Sequence, residues 1–176
     1  MEKKDYEILL INPGFNQISF QFNQNIPIDL LELGSYLVSK GIDVKIIDCS
    51  VMADCLNYVK EYSKKAMLIG LGVMNAQIGS AFDITEAIKS VNPNAKFVWG
   101  GPQATLYTEQ TIKHNYVDFT INGEGEEALY KLFMALKNNE SFEDIQGLGY
   151  KKNGQIFLNG PSPLVDVNKT PSPVWS

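Results

Sequence analysis

The chain has 176 residues, of which 44% are hydrophobic and 20% charged. That is one ordinary domain with enough apolar content for a core, and it excludes both a disordered chain and two full domains. Fifteen basic residues against twenty acidic ones leave a net charge of −5, which argues against nucleic acid or an anionic membrane as a partner held by charge.

Two periodicities alternate along the chain. Residues 6–11 read as a short buried strand closed by Asn12-Pro13-Gly14. The apolar run there is too short for a signal peptide, so a cytoplasmic domain is expected. Residues 27–40 carry Leu30, Leu33, Gly34, Leu37 and Val38 at helical spacing. That helix stops at Gly41, where tolerance of positive φ suits a helix end. Residues 44–47 are the next strand, and Met52, Cys55, Leu56, Val59 and Tyr62 predict a second helix. Residues 67–73 form a third apolar run, which even with its neighbours Ala66 and Met74 falls far short of a membrane span. Ala81, Ile84, Ile88 and Val91 mark a third helix ending before Pro93. Residues 96–99 are a fourth strand closed by Gly100-Gly101-Pro102, residues 106–115 a shorter helix, and residues 117–121 a fifth strand. Leu129, Leu132, Phe133 and Leu136 are the last helical stripe.

Five strands alternating with helices predict an α/β three-layer sandwich, a parallel sheet covered on both faces. Right-handed crossovers favour the flavodoxin-like (Rossmann-like) strand order 2-1-3-4-5, with ligands at the carboxyl ends of the strands. Residues 1–140 are assigned to this domain. Residues 141–160 are a β-hairpin extension, because Asn153-Gly154 stands between two alternating runs. Residues 161–176, with Pro161, Pro163, Pro171 and Pro173, read as a Pro-rich linker.

The strand ends carry the functional signal. Strand three ends in Gly70-Leu-Gly-Val-Met-Asn-Ala-Gln77, strand four in Gly100-Gly-Pro-Gln-Ala-Thr105, and strand five in Asn122-Gly-Glu-Gly-Glu126. Glycine is dense there, while a nucleophile or an acid–base pair is missing from all but the last. Glycines let backbone approach a large flat ligand and donate bare N–H groups to it, which favours a bulky cofactor over hydrolysis. The alternative for any single loop is a tight strand-to-helix turn.

Other readings of these segments are weaker. Gly123-Glu-Gly-Glu-Glu-Ala128 matches the dinucleotide fingerprint, but on the fifth strand rather than the first, and its glutamates would repel a pyrophosphate. A phospho-acceptor receiver needs acids after strand one and an aspartate ending strand three, where Asn12-Pro13 and Val73-Met74 stand. His114 is the single histidine and reads as a surface residue. Cys49 and Cys55 read as buried or incidental thiols, since two cysteines make neither a disulfide framework nor a four-cysteine metal site.

Taken in order, these loops, the segment Gly147-Leu-Gly-Tyr-Lys151 and the terminal Pro171-Ser-Pro-Val-Trp175 resemble the N-terminal cobalamin (vitamin B12)-binding domain of cobalamin-dependent radical S-adenosylmethionine enzymes. The likeness covers nearly the whole chain. It implies a corrin held base-off at the carboxyl edge of the sheet, its dimethylbenzimidazole tail detached and threaded into the domain. By position, Asn12, Pro13, Gly72, Val73, Met74, Asn75 and Gln77 are expected to border the corrin. Gly100, Gly101, Pro102, Gln103, Ala104 and Thr105 are expected to line the tail's slot, and Gly123, Glu124, Gly125 and Glu126 to offer amides and a carboxylate to the corrin's amide side chains. Gln103 stands where the family commonly shows histidine, Gly72 and Asn75 stand where it commonly shows serine or threonine, and an Asp-x-His-x-x-Gly motif is absent. The resemblance therefore implies no histidine ligand to cobalt, with Met74, Asn75 or water beneath it.

The family's three-cysteine cluster motif is also absent. The 4Fe-4S cluster and S-adenosylmethionine are thus expected on a radical S-adenosylmethionine catalytic domain in cis after Ser176, with methyl transfer as the implied chemistry and no catalytic residue in this chain. The alternatives are a degenerate domain of the same fold acting as a scaffold without cofactor, and a nucleotide- or flavin-binding protein using Gly123-Glu-Gly125.

Overall fold

The computed structural model describes residues 5–15, 26–164 and 171–172. Seven strands form one sheet in the order β2-β1-β3-β4-β5-β6-β7. The strands are β1 (Ile8–Asn12), β2 (Val44–Asp48), β3 (Leu68–Gly72), β4 (Lys96–Gly100), β5 (Phe119–Ile121), β6 (Leu148–Lys152) and β7 (Gln155–Leu158). The first five are parallel in the expected 2-1-3-4-5 order. The sheet is longer than expected because the hairpin adds β6 and β7 antiparallel to the edge of β5. Asn153 and Gly154 both take positive φ, 53° and 76°, the turn that matches strand twist. Tyr150 and Phe157 face each other across that hairpin, with rings stacked at 5.2 Å.

The two faces are covered by different helices. Leu9, Ile11, Ile69, Leu71, Phe97 and Trp99 pack with α2 (Cys55–Ser63), α3 (Ile78–Lys89) and the short α4 (Gly101–Leu106) and α5 (Thr108–Ile112). Ile8, Leu10, Leu68, Val98, Phe119 and Ile121 pack with α1 (Ile28–Ser39) and α6 (Glu126–Asn138). Strands buried on both faces have no alternation, which is why they read as continuous apolar runs. Gly41 follows α1 at φ 80°, as its place in the sequence suggests.

Two local expectations are corrected. The single helix over residues 106–115 is two short ones, because Gly101, at φ 80°, starts α4 directly from the end of β4 and Tyr107 breaks the run. Cys49 and Cys55 are not separate thiols but a disulfide, with Cα atoms 5.3 Å apart across the turn from β2 to α2. That spacing is within disulfide reach, and the turn supplies it by folding back on the first turn of α2. The linker expectation falls mostly outside the described residues, and so does much of the loop between Phe15 and Ile26.

Closing so short a loop contributes about 2 kcal/mol through unfolded-chain entropy. Reduction, or Cys55→Ser, is expected to lower the urea unfolding free energy by about that amount, and unchanged urea curves with and without reductant would show that the pair is not linked in solution.

Candidate functional site

The carboxyl ends of β3 and β4 are joined by main chain alone. Val73 N–H donates to Gly100 O at 3.0 Å, and Gln103 N–H donates to Val73 O at 2.9 Å. A Cβ on Gly101 would stand 3.1 Å from Val73 N, so a side chain there would be crowded by backbone as well as strained by the positive φ. At Gly100, by contrast, a Cβ would meet nothing within 4 Å. The empty space belongs to a cavity of about 170 Å³ between the sheet and helices α1 and α6. Leu10, Val98 and Ile121 form its floor, with Leu30 and Leu33 of α1 and Leu129 of α6 as walls. Gly70, in the middle of β3, keeps the floor thin: a Cβ there would meet Leu10 Cδ2 at 2.8 Å. Tyr36 of α1 donates its hydroxyl to Glu127 of α6, tying the two wall helices together.

Of the residues singled out in the sequence, Gly72, Gly100, Gly101, Gly123, Glu124, Gly125 and Glu126 line this cavity. Asn12, Pro13, Val73, Met74, Asn75, Gln77 and residues 102–105 do not. Their roles in the structure are different. Gln77 is 1% exposed and spends both ends of its amide inside the protein. Its Nε2 donates to Asn12 Oδ1 at 2.9 Å, and its Oε1 accepts from Met74 N–H at 2.8 Å. Asn12 in turn donates to Asp48 Oδ1 at 2.8 Å. This chain of amides pins the loop after β3 to the ends of β1 and β2, and leaves Met74 and Asn75 exposed.

Gln103 and Ala104 turn into the opposite face as α4 begins. Gln103 accepts from Asn75 Nδ2 at 3.3 Å and donates to Thr111 Oγ1 at 3.4 Å. Thr105 Oγ1 accepts from Gly123 N–H at 3.2 Å, linking the loops after β4 and β5. His114 is stacked on Phe82 of α3, with ring centroids 4.1 Å apart, on the other side of the sheet from the cavity. Burial, and then the Lys151 charge, lower its pKa.

The cavity mouth is acidic, with Asp29, Glu32, Glu124 and Glu126 around it. Three are exposed, whereas Glu126 is partly buried and its Oε2 has no hydrogen-bond partner. Burial pushes the Glu126 carboxyl above the usual carboxylate range, and the nearby Glu124 and Glu32 push the same way. Backbone amides of Glu126 and Gly125 pull against them. The apolar walls on α1 and α6 escaped the sequence reading, because only the assembled fold brings those helices over β1 and β4. One signal for the floor was present: Gly70 interrupts an otherwise apolar strand, as glycine does where something approaches the backbone.

A model of the B12 binding domain matches residues 23–133, more than half of the chain. The chain belongs to the B12-binding domain family. Cobalamin is the ligand class of this family, so the resemblance drawn from the loops is borne out. The chain is 30% identical over 155 residues to an uncharacterized methyltransferase of Pyrococcus horikoshii, covering 85% of this chain and 33% of that one. It is 26% identical over 165 residues to the anaerobic magnesium-protoporphyrin IX monomethyl ester cyclase of Synechocystis, covering 90% and 33%. The chain thus spans about a third of the length of these curated relatives.

Solved structures of two cobalamin-dependent radical enzymes are among those that share the fold. One is the radical S-adenosylmethionine methyltransferase TsrM from Kitasatospora setae with cobalamin and a 4Fe-4S cluster, at TM-score 0.75 and 21% identity, covering 96% of this chain and 31% of that one. The other is the cobalamin-dependent radical enzyme OxsB with aqua-cobalamin and S-adenosylmethionine, at TM-score 0.80 and 22% identity, covering 97% and 24%. Among the described residues no helix is long and apolar enough to cross a membrane.

Removing the Gln77 amide strands Asn12 Oδ1 and Met74 N–H, so Gln77→Ala is expected to cost about 2–3 kcal/mol in urea unfolding. A loss within about 0.5 kcal/mol would show that water replaces the clamp. For Glu126 the sign follows from its raised pKa. The folded state holds a proton that the unfolded chain releases near the ordinary Glu value, so stability falls as pH rises from that value through the raised one. Glu126→Gln is expected to flatten that fall as pH rises above the ordinary Glu range, measured as urea midpoints.

Proposed function

We propose that this chain holds cobalamin base-off across the carboxyl ends of β1, β3, β4 and β5, with the heterocyclic tail in the cavity between α1 and α6. In this reading it is a module of a longer protein, serving a radical S-adenosylmethionine domain in cis, with methyl transfer as the chemistry. The observation that carries the reading is the cavity itself, floored by apolar side chains and opened at the strand ends by Gly72, Gly100 and Gly101.

The fit rests on size and donor chemistry. Apolar cavities of about 150 Å³ admit a benzene ring. This one, at about 170 Å³ and open at its mouth, suits a bicyclic base whose attachment leaves outward. Bound cobalamin supplies a cobalt centre that carries and passes on a methyl group. The chain's own residues do the rest. Gly100 gives up its side chain so that the tail passes between the ends of β3 and β4 and α6, and Gly101 lets α4 start against the Val73 backbone. Leu30, Leu33 and Leu129 exclude water from the slot. The exposed Met74 and Asn75, held by the Gln77 clamp, border the corrin. The single histidine, His114, is committed to Phe82 across the sheet, which supports a cobalt without an imidazole from this chain.

The test is reconstitution with hydroxocobalamin, desalting, and visible spectra at neutral and acid pH. About one retained equivalent with a base-off spectrum at both pH values is expected. A colourless protein would favour the scaffold reading. Gly100→Leu separates binding from folding, because β4 is extended there and the added side chain enters open cavity. Its Tm is expected to stay within about 3 °C of the parent while corrin retention is lost. Full retention would place the tail elsewhere.

A further inference from the structure

The slot between α1 and α6 changes in polarity from mouth to floor. The polar side chains that line it are four carboxylates, and three of them, Asp29, Glu32 and Glu124, are exposed at the mouth. The half-buried Glu126 carboxyl accepts from the backbone amides of Gly125 and Glu126 at the start of α6. Deeper in, the lining is aliphatic: Leu10, Leu30, Val98, Ile121 and Leu129 are each at most 4% exposed. The main chain of the floor is spent in the sheet, where Leu10 stands in register with Gly70, Gly70 with Val98, Val98 with Phe119, and Ile121 with Leu148. The deep end of the slot therefore offers contact but no hydrogen bond.

That gradient separates tails that hang from the same corrin. A base whose attachment leaves outward presses the ring edge remote from its sugar onto the floor. In dimethylbenzimidazole that edge is a benzene ring with two methyl groups, and burying it sacrifices no hydrogen bond. In a tail built on adenine it is a pyrimidine ring with acceptor nitrogens and an amino group. Those groups give up water on entry and meet only leucine, isoleucine and valine, an uncompensated cost. Detachment from cobalt works in the opposite sense, because the purine nitrogen is less basic than that of benzimidazole and leaves the metal more readily. A preference for the benzimidazole tail thus reports the slot and not the ease of detachment.

We propose that this slot selects among corrinoids by the polarity of the tail base, taking an apolar benzimidazole and disfavouring a purine. The inference rests on the cofactor reading above and adds which corrinoids the chain accepts. Val98 is the specificity residue at the floor. Its side chain packs on the α1 and α6 face, beside Gly70, whose Cβ would stand 3.8 Å from Val98 Cγ1. Leu33, half-buried on the wall above Gly125, is its counterpart nearer the mouth. No covalent bond forms or breaks in this selection.

The experiment is a set of absorbance titrations of the 176-residue chain with the aqua forms of cobalamin, of its adenine-tailed analogue, and of cobinamide, which has no base. The parent chain is expected to bind cobalamin about tenfold or more tightly than either of the others. Val98→Thr keeps the shape of the side chain and puts a hydroxyl on the floor. It is expected to narrow the preference for cobalamin over the adenine-tailed analogue by about threefold or more. Equal binding of the two tailed corrinoids, or tighter binding of the adenine form, would overturn the selection and leave the cofactor reading intact. So would a preference that Val98→Thr leaves unchanged, since the discrimination would then arise outside the slot. Cobinamide bound as tightly as cobalamin would place the tail elsewhere and overturn the selection too. Failure of the parent chain to bind any of the three would overturn the cofactor reading with it. If Val98→Thr unfolds, as read by circular dichroism, Leu33→Gln on the half-buried wall supplies the same comparison with the same opposing outcomes.

Discussion

At the carboxyl ends of β3 and β4 two strands meet without side chains between them. Val73 and Gly100 share a main-chain hydrogen bond, Gln103 returns another to Val73, and Gly101 can stand there only because it has no Cβ. Everything distinctive about this surface follows from that arrangement. The sheet stays hydrogen-bonded to its last residue, α4 leaves at once toward one face, and the other face is left with an opening where side chains would otherwise close the core. A cavity at the end of a parallel sheet is thus built by subtraction, at positions where glycine costs backbone entropy on folding.

The opening needs a rigid frame, and the polar residues nearby provide it. Asp48, Asn12, Gln77 and the Met74 amide form a continuous hydrogen-bonded chain from β2 to the loop after β3. Gln103 links that loop through Asn75 to α5, and Thr105 links the loops after β4 and β5. The Cys49–Cys55 disulfide closes the turn beside Asn12, with Cys49 N–H donating to Asn12 O at 2.9 Å. The side-chain amides of Asn12, Gln77 and Gln103 are consumed in holding the loops. The groups left for a ligand are glycine backbone and aliphatic walls.

What the sequence made legible was what a one-dimensional pattern records. Apolar runs and helical stripes gave the strand order, and glycine density marked the strand ends that surround the cavity. Side-chain direction was not legible. Asn12 and Gln77 sit 65 residues apart, and nothing in either segment says that each satisfies the other. The walls from α1 and α6 were hidden for the same reason, since Leu30, Leu33 and Leu129 read as ordinary core until the sheet brings them over a glycine floor. The hairpin was visible through Asn153-Gly154, but its docking on β5 depends on Phe119–Tyr150 and Ile121–Leu148 pairing at long range. The cysteine pair was visible only as a spacing, because a turn, not the spacing, brings the sulfurs together.

In the proposed complex the corrin's tail enters the sheet between α1 and α6. Amide hydrogen exchange, with and without hydroxocobalamin, tests it directly. Slowed exchange is expected in α1 around Leu30 and Leu33, at Gly72, at Gly100 and Gly101, and at the start of α6, with α2 and the hairpin unchanged. Protection confined to α2, α3 or the hairpin, or no protection while corrin is bound, would contradict it.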